Sequence, residues 1–418
     1  MRSQPHELRQ VWRSFRVPSV VALIGLSIAV GCSSGSRFTQ SQLANSNSGK
    51  TEGDLSLAEQ SSTKPFQTSD TVVRFQFAHL KTVEYDGFAL PILSPDGCSA
   101  AIQISSSADW PTLLASVDSG VPDAGRIAIA PLCAKTDAIA GEETNAPLLD
   151  VVGNDLLLGR SADSEGFLVE SPRVDGARWI GKVAWQGGEP TWLVSDEHVN
   201  AFASLGPTGE LAWCHRRREV EKFSLLVKRG EAIHEIPPPQ DGLWLAPSFS
   251  ADGKFLYALR LRDGVLSACA FPISGTISTT PIISIDLSWR ADVRMAYQTV
   301  IPLRTGGESY DPRFYFFHPR FGRIAIWNPS NNRIALTSPN CSAAIAISQT
   351  KIVASSATQI AVESAPVEGG SKDHQQSTKM MESLWIPIGR GEGSVIIVAQ
   401  PGRGTLNIAR IDLAPTEK

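Results

Sequence analysis

From Thr71 onward the chain alternates apolar and polar positions. Val73, Phe75 and Phe77 interleave with Arg74 and Gln76, the period of two that turns one strand face to a core and the other to water. The period returns over Lys254 to Leu261, with Phe255, Tyr257, Leu259 and Leu261 on one face, and over Arg323 to Trp327. Turn-forming groups separate such runs at Asp96-Gly97, Ser164-Glu165-Gly166, Thr208-Gly209 and Asp252-Gly253. Helical periods are scarce. The best helical candidate, His374 to Trp385, follows Glu368-Gly369-Gly370-Ser371, which reads as an insertion loop. The expected fold class is all-β.

The turns repeat. Ser94-Pro95-Asp96-Gly97, Gly206-Pro207-Thr208-Gly209 and Ser250-Ala251-Asp252-Gly253 align, and Gly166 to Gly209 and Gly209 to Gly253 are spaced by 43 and 44 residues. A second echo joins Ser94-Pro95-Asp96-Gly97-Cys98-Ser99-Ala100-Ala101-Ile102 to Ser338-Pro339-Asn340-Cys341-Ser342-Ala343-Ala344-Ile345. Pro247 to Tyr257 resembles the P-x-F-S-x-D-G-K-x-[LI] hairpin of TolB-type and WD-like β-propeller repeats, with Leu93 to Gly97 a good second copy and Leu205 to Ala212 a weaker third. Asp-Gly supplies the turn and its positive-φ residue. The resemblance implies a β-propeller. A pair of β-sandwiches, also built of short strands, does not explain the echo. About 344 residues lie between Asp70 and the last strand near Leu413, enough at about 44 per blade for seven four-stranded blades, with six or eight left open. Ala268 to Pro319 fits the repeat poorly. If the ring closes, Val73 to Phe77 shares a blade with Thr405 to Leu413.

Two segments precede the propeller. Ser33 to Asp70 is rich in Ser, Thr, Asn and Gln, with few large apolar residues; a chain of 38 such residues is expected to be a flexible tether with a reach of roughly 30 to 40 Å. Ahead of it, Arg2, Arg9, Arg13 and Arg16 precede an apolar run, Val17 to Val30, too short to span a bilayer as a helix. Ala29-Val30-Gly31-Cys32 follows, and resembles the lipobox of exported bacterial lipoproteins, with Ala29 where leucine is commonest. The resemblance implies a signal peptide over residues 1–31 and diacylglycerol on Cys32, which leaves the tether over 32–70 and the propeller over 71–418. It also implies a place in the bacterial cell envelope, with the membrane as partner through the lipid anchor. Ser33 lacks the Asp that retains enteric lipoproteins in the inner membrane, which favours the outer membrane, on its periplasmic or surface face.

Charge and motifs narrow the chemistry. The net charge of −4 falls to about −7 without residues 1–31, against the clustered cations that nucleic acid requires. Arg216-Arg217-Arg218 is offset by Glu219 and Glu221, and reads as a solvated strand end. Of six cysteines, five remain beside Cys32, an odd number that leaves at least one unpaired, and none has metal-ligand spacing except the adjacent Cys214-His215, which has no partner pair; small buried apolar sites are expected for most of them. Cys98 and Cys341, if they follow equivalent turns in different blades, lie too far apart for a disulfide. Gly31 to Gly35 matches G-x-S-x-G without its strand and helix, and Ala44 to Thr51 matches a phosphate loop inside a tether. Gly389 to Gly393 and Gly402 to Gly404 read as hairpin loops, and His234-Glu235 runs into Pro237-Pro238-Pro239 rather than a zincin helix. Trp179, Trp185 and Trp192 form either an aromatic platform or blade-to-blade packing.

No catalytic, cofactor or metal residues are assigned, and no cofactor is expected. The function expected is a non-catalytic binding or scaffold module for a protein or glycan partner. The alternative is a hydrolase or lyase acting on a glycan or peptide at the channel mouth. The hydrolase domain of prolyl-oligopeptidase relatives is not expected, because the chain ends soon after Leu413.

Overall fold

The computed structural model describes residues 73–415 apart from 85–89, 105–124, 134–145, 154–155, 218–221, 251, 263–264, 282, 291–300, 303–313, 319–322, 329–332, 337–342, 347–350, 357–358, 365–376, 382–383, 391–394 and 403. All regular structure among these residues is β. β1 (Val73–Glu84) is followed by antiparallel units of four strands. These are β2–β5 (Ile92–Leu93, Ser99–Gln103, Ile127–Pro131, Leu149–Asp150), β6–β9 (Leu157–Ala162, Gly166–Pro172, Arg178–Ala184, Thr191–Val194) and β10–β13 (Val199–Leu205, Leu211–Arg216, Ser224–Arg229, Ala232–Ile236), the last two joined into one eight-stranded sheet where Val199 of β10 pairs in parallel with Arg178 of β8. Next come β14–β17 (Leu243–Phe249, Phe255–Arg262, Val265–Pro272, Ile283–Arg290), β18–β21 (Ile301–Pro302, Phe314–His318, Arg323–Asn328, Arg333–Leu336) and β22–β25 (Ala343–Ala346, Lys351–Ser355, Gln359–Ser364, Ser377–Met380). The last unit is β26 (Ile386–Arg390), β27 (Val395–Pro401) and β28 (Thr405–Pro415), completed by β1 in the order β1-β28-β27-β26. This is a β-propeller.

Its core is distributed between the blades. Ile127 and Ile129 of the β2–β5 blade pack with Phe167, Val183 and Trp185 of the next, and Leu168 and Ile180 with Ala203, Leu211 and Trp213 of the one after. The largest layer runs from Cys214 and Leu225 through Trp244 and Tyr257 to Trp327. The circuit closes where Leu80 and Val83 of β1, with Ile397 and Leu406, meet Ala100 and Ile102 of β3. A strand so placed is covered on both faces. Leu256 and Ala258 are therefore as buried as Tyr257 and Leu259, and the one-sided burial expected for Lys254 to Leu261 does not occur.

β1 joins the two ends of the ring. It runs antiparallel to β28 from Val73 opposite Pro415 to Glu84 opposite Thr405, with one irregularity between His79 and Lys81. The expected pairing of Val73–Phe77 with Thr405–Leu413 is thus present, on the outer side of the closing blade. The expected helix over His374 to Trp385 is replaced by β25, which pairs with β24 at Ala361 opposite Thr378 and Val362 opposite Ser377. Ala268 to Pro319, a poor fit to the repeat in sequence, contributes β17, β18 and β19.

The repeated turn occupies one place in the fold, between first and second strands. Ser94 and Ser250 hold it identically: each hydroxyl donates to the aspartate two residues on (Asp96, Asp252) and accepts the N–H five residues on (Ser99, Phe255), both 2.9 Å. Gly97 and Gly253 supply φ of 72° and 68°. The second echo is not an equivalence. Ala100-Ala101-Ile102 lies on β3, the second strand of its blade, whereas Ala343-Ala344-Ile345 lies on β22, a first strand. Cys341 lies outside the described residues. Cys98 does not fill an apolar site as expected; it forms a disulfide with Cys133, tying the first turn of the β2–β5 blade to the end of β4.

Candidate functional site

The repeated turn supplies a common frame for comparing blades. Counting four residues from the residue whose carbonyl closes the turn (Ser99, Gly166, Glu210, Phe255) reaches Gln103, Glu170, Cys214 and Leu259 on successive second strands. Three of these bond to the first strand of the next blade. Gln103 accepts from the Leu158 N–H at 2.7 Å and donates to the Leu156 carbonyl at 3.1 Å. Glu170 accepts from the Phe202 N–H at 2.6 Å, and the Cys214 thiol donates to the Trp244 carbonyl at 3.5 Å. The receiving strands need these partners because each is bulged: register shifts fall between Leu158 and Ala162, Ala201 and Ser204, and Leu245 and Ser248. A bulge leaves backbone groups outside the ladder, where burial without a partner is costly. Phe202 and Ala246 sit in these bulges at φ of 57° and 46°, an unfavourable region for side-chain-bearing residues.

Glu170 is the charged member of the series. It is 1% exposed, and its second oxygen lies 3.4 Å from Nη1 of Arg178, itself buried. Burial pushes the Glu170 carboxyl up, against the opposing pull of Arg178 and the N–H groups of Phe202 and Ala203. Burial also raises the Cys214 thiol well above its usual range, and that of Cys269 up to about 12. Neither thiol is poised as a nucleophile.

Beside this pair, Asn200 organises a polar cluster across the joint between the β6–β9 and β10–β13 blades. It is fully buried. Its Nδ2 donates to the Arg178 carbonyl at 3.2 Å and to Asp196 at 2.7 Å. Its Oδ1 accepts from Trp213 Nε1 at 2.9 Å and lies 3.0 Å from His215 Nδ1. With Nδ2 facing three acceptors, the third being the His198 carbonyl at 3.4 Å, Oδ1 is the acceptor side, so His215 carries its proton on Nδ1 and a lone pair on Nε2. The register explains the meeting, since Asn200 stands directly opposite His215. The His198 ring meets the His215 ring edge-on, with centroids 5.0 Å apart and planes at 87°. Burial lowers the affinity of His215 for a proton, with His198 and Arg217 adding to the effect and Asp196 and Glu235 opposing it.

The sequence-derived candidates fall elsewhere. Cys32, the G-x-S-x-G match and the phosphate-loop match lie outside the described residues. Trp185 is core, its ring tilted against Phe167 with centroids 5.1 Å apart, and it donates to the Asp163 carbonyl. Trp179 meets Trp192 edge-on at 5.4 Å and lies under the Arg173 guanidinium at 4.2 Å. His234 and Glu235 are on the exposed strand β13, and Gly402 and Gly404 form the β27–β28 hairpin. Arg216 ends β11 over the Phe223 ring, while Arg218 lies outside the described residues. Sequence reasoning noted His215 only as the neighbour of Cys214, and missed Glu170, Arg178, His198 and Asn200. The one available signal was a carboxylate inside the apolar run Gly166-Phe167-Leu168-Val169-Glu170.

The chain matches no protein-family model and no curated protein sequence. Among solved structures it is similar to the Dos1 propeller (8% identity, TM-score 0.45, covering 80% of this chain and 95% of that one). It is also similar to the WD40 domain of Toxoplasma gondii coronin (12%, 0.44, 83% and 90%) and to TolB from Acinetobacter baumannii (15%, 0.34, 61% and 64%).

Proposed function

We propose that the protein is an exported bacterial lipoprotein whose propeller, of seven blades, is a non-catalytic module that binds a protein or glycan partner in the cell envelope. The observation that supports export is the Cys98–Cys133 disulfide, which joins an exposed Cys133 to a turn at the surface. Such bonds persist in oxidising compartments and are rare in a reducing cytosol. The lipobox around Cys32 carries the anchor and the Ser/Asn-rich segment after it the tether. What supports a binding role is where these polar groups go: Gln103, Glu170 and Asn200 are occupied in holding blades together, which makes a rigid platform.

Two or three acyl chains, at about 0.8 kcal/mol per buried CH₂, suffice for stable anchoring. Cys32→Ser is expected to release the protein from the membrane fraction or to accumulate as precursor. A variant that matures and still sediments with membranes contradicts the anchor. Pull-down from cross-linked membranes with the lipidated protein is expected to recover one defined partner; turnover of a glycan or peptide by the purified protein contradicts the non-catalytic reading.

A further inference from the structure

We propose that His198 and His215 form a two-imidazole site for a borderline divalent metal ion such as Zn²⁺ or Ni²⁺, an inference independent of the binding role above. Three observations carry it. First, Nδ1 of His198 is buried and has no hydrogen-bond partner, an unpaired polar atom that a ligand satisfies. Second, His215 is 9% exposed, and its Nδ1 is engaged by the Asn200 amide oxygen. That is how metal-bound imidazoles are held: the far nitrogen donates to a carbonyl or carboxylate, which fixes the tautomer and aims the other lone pair. Asn200 is itself fixed by Arg178, Asp196 and Trp213, so the aim is rigid. Third, the ring spacing fits. An ion about 2.1 Å from each nitrogen sits roughly 3.2 Å from each ring centre, so centroids 5.0 Å apart are within the span of two imidazoles that share one ion.

Among the described residues no group of three or more His, Cys, Asp or Glu side chains converges on an ion. The site therefore supplies two ligands, and water or an incoming oxygen or nitrogen ligand completes the shell. Imidazole pairs suit Zn²⁺, Ni²⁺ and Cu²⁺, whereas Mg²⁺ and Ca²⁺ take oxygen ligands.

The test is titration of the full-length protein, stripped with EDTA, with Zn²⁺ and Ni²⁺ alone, and Cu²⁺ electron paramagnetic resonance on the same sample. Saturable binding of one ion per chain is expected, with the Cu²⁺ spectrum showing coupling to two imidazole nitrogens, and Mg²⁺ failing to compete. His198→Ala, at a partly exposed position, is expected to keep the fold and weaken binding about tenfold or more; His215→Gln is expected to weaken it similarly. His79→Ala and His234→Ala are expected to leave it unchanged. Absence of saturable binding up to millimolar ion overturns the assignment. So does one-to-one binding that survives in folded His198→Ala.

Discussion

Gly253 and Gly209 occupy equivalent turns but face different surroundings. Both hold positive φ, 68° and 92°, so an alanine at either is strained by about 1 kcal/mol. A Cβ on Gly253 also lies 3.0 Å from Cγ of Pro207 in the neighbouring blade's turn, whereas one on Gly209 meets nothing within 4 Å. Gly253→Ala is therefore expected to lower the unfolding midpoint more than Gly209→Ala, as read by urea denaturation of the two variants. Asp163 makes a second prediction. Burial raises its carboxyl, but the Lys182 ammonium at 2.7 Å and the N–H groups of Gly166 and Glu165 outweigh this and leave it below the usual range. A depressed carboxylate stabilises the fold above its unfolded pKa, and that contribution is lost as pH falls through its folded value. Asp163→Asn should thus be less stable than the native protein at neutral pH, with the difference shrinking on acidification below about pH 4. A difference that is constant with pH argues against the ion pair. At Glu170, truncation to alanine leaves Arg178 buried and the Phe202 N–H unpaired, a loss of about 3 to 5 kcal/mol in chemical denaturation.

At the scale of elements, the turn was readable because its chemistry is local. Ser-x-Asp-Gly closes on itself through bonds spanning no more than five residues, so the copies at Ser94 and Ser250 could be aligned without a structure. Ala-Ala-Ile carries no such signature: it suits any strand covered on both faces, which is why its two copies fall on strands of different rank. The helix expected near His374 failed for a related reason. Ser377–Met380 takes its conformation from the ladder to β24, a partner that periodicity cannot reveal. The histidine pair was equally hidden, because it depends on the Asn200–His215 register. Cys98 and Cys133, separated by 35 residues, bracket β3 and β4, and Leu132 N–H donates to the Cys98 carbonyl beside the bond. Replacing both with serine should cost about 2 to 4 kcal/mol through the released loop, measured by denaturation with and without reductant. Equal stability of the two forms would show that the backbone ladder alone holds this end of the blade.

For the whole molecule, closure is the decisive event. β1 supplies the outer strand of a blade whose other three strands lie over 300 residues away in sequence, and Phe77 meets Trp385 edge-on at 4.9 Å within it. The ring class was legible from the 43 to 44 residue echo and the turn motif. So was the pairing of first and last strands that closes it; the packing between blades, such as Tyr257 with Trp327, was not, since periodicity names no partner. A variant with Leu80 and Val83 both changed to aspartate should lose the β1 latch, because both side chains are buried between the closing blade and the β2–β5 blade. Hydrogen exchange is expected to show β28 amides losing protection first, and size-exclusion chromatography to show self-association through the bared edge. Retained β28 protection would mean that the ring closes without its first strand.

The pairing of Val73 with Pro415 has a topological corollary. Cα atoms of directly opposed residues in an antiparallel ladder are about 5 Å apart, so the covalent beginning and finish of the circle are near neighbours at one corner. A circle whose ends touch has no obligatory starting point. Joining Val73 to Pro415 by a short linker and opening the backbone between two other blades would give a circular permutant with every ladder intact, and would move the chain's point of entry to any blade of the ring.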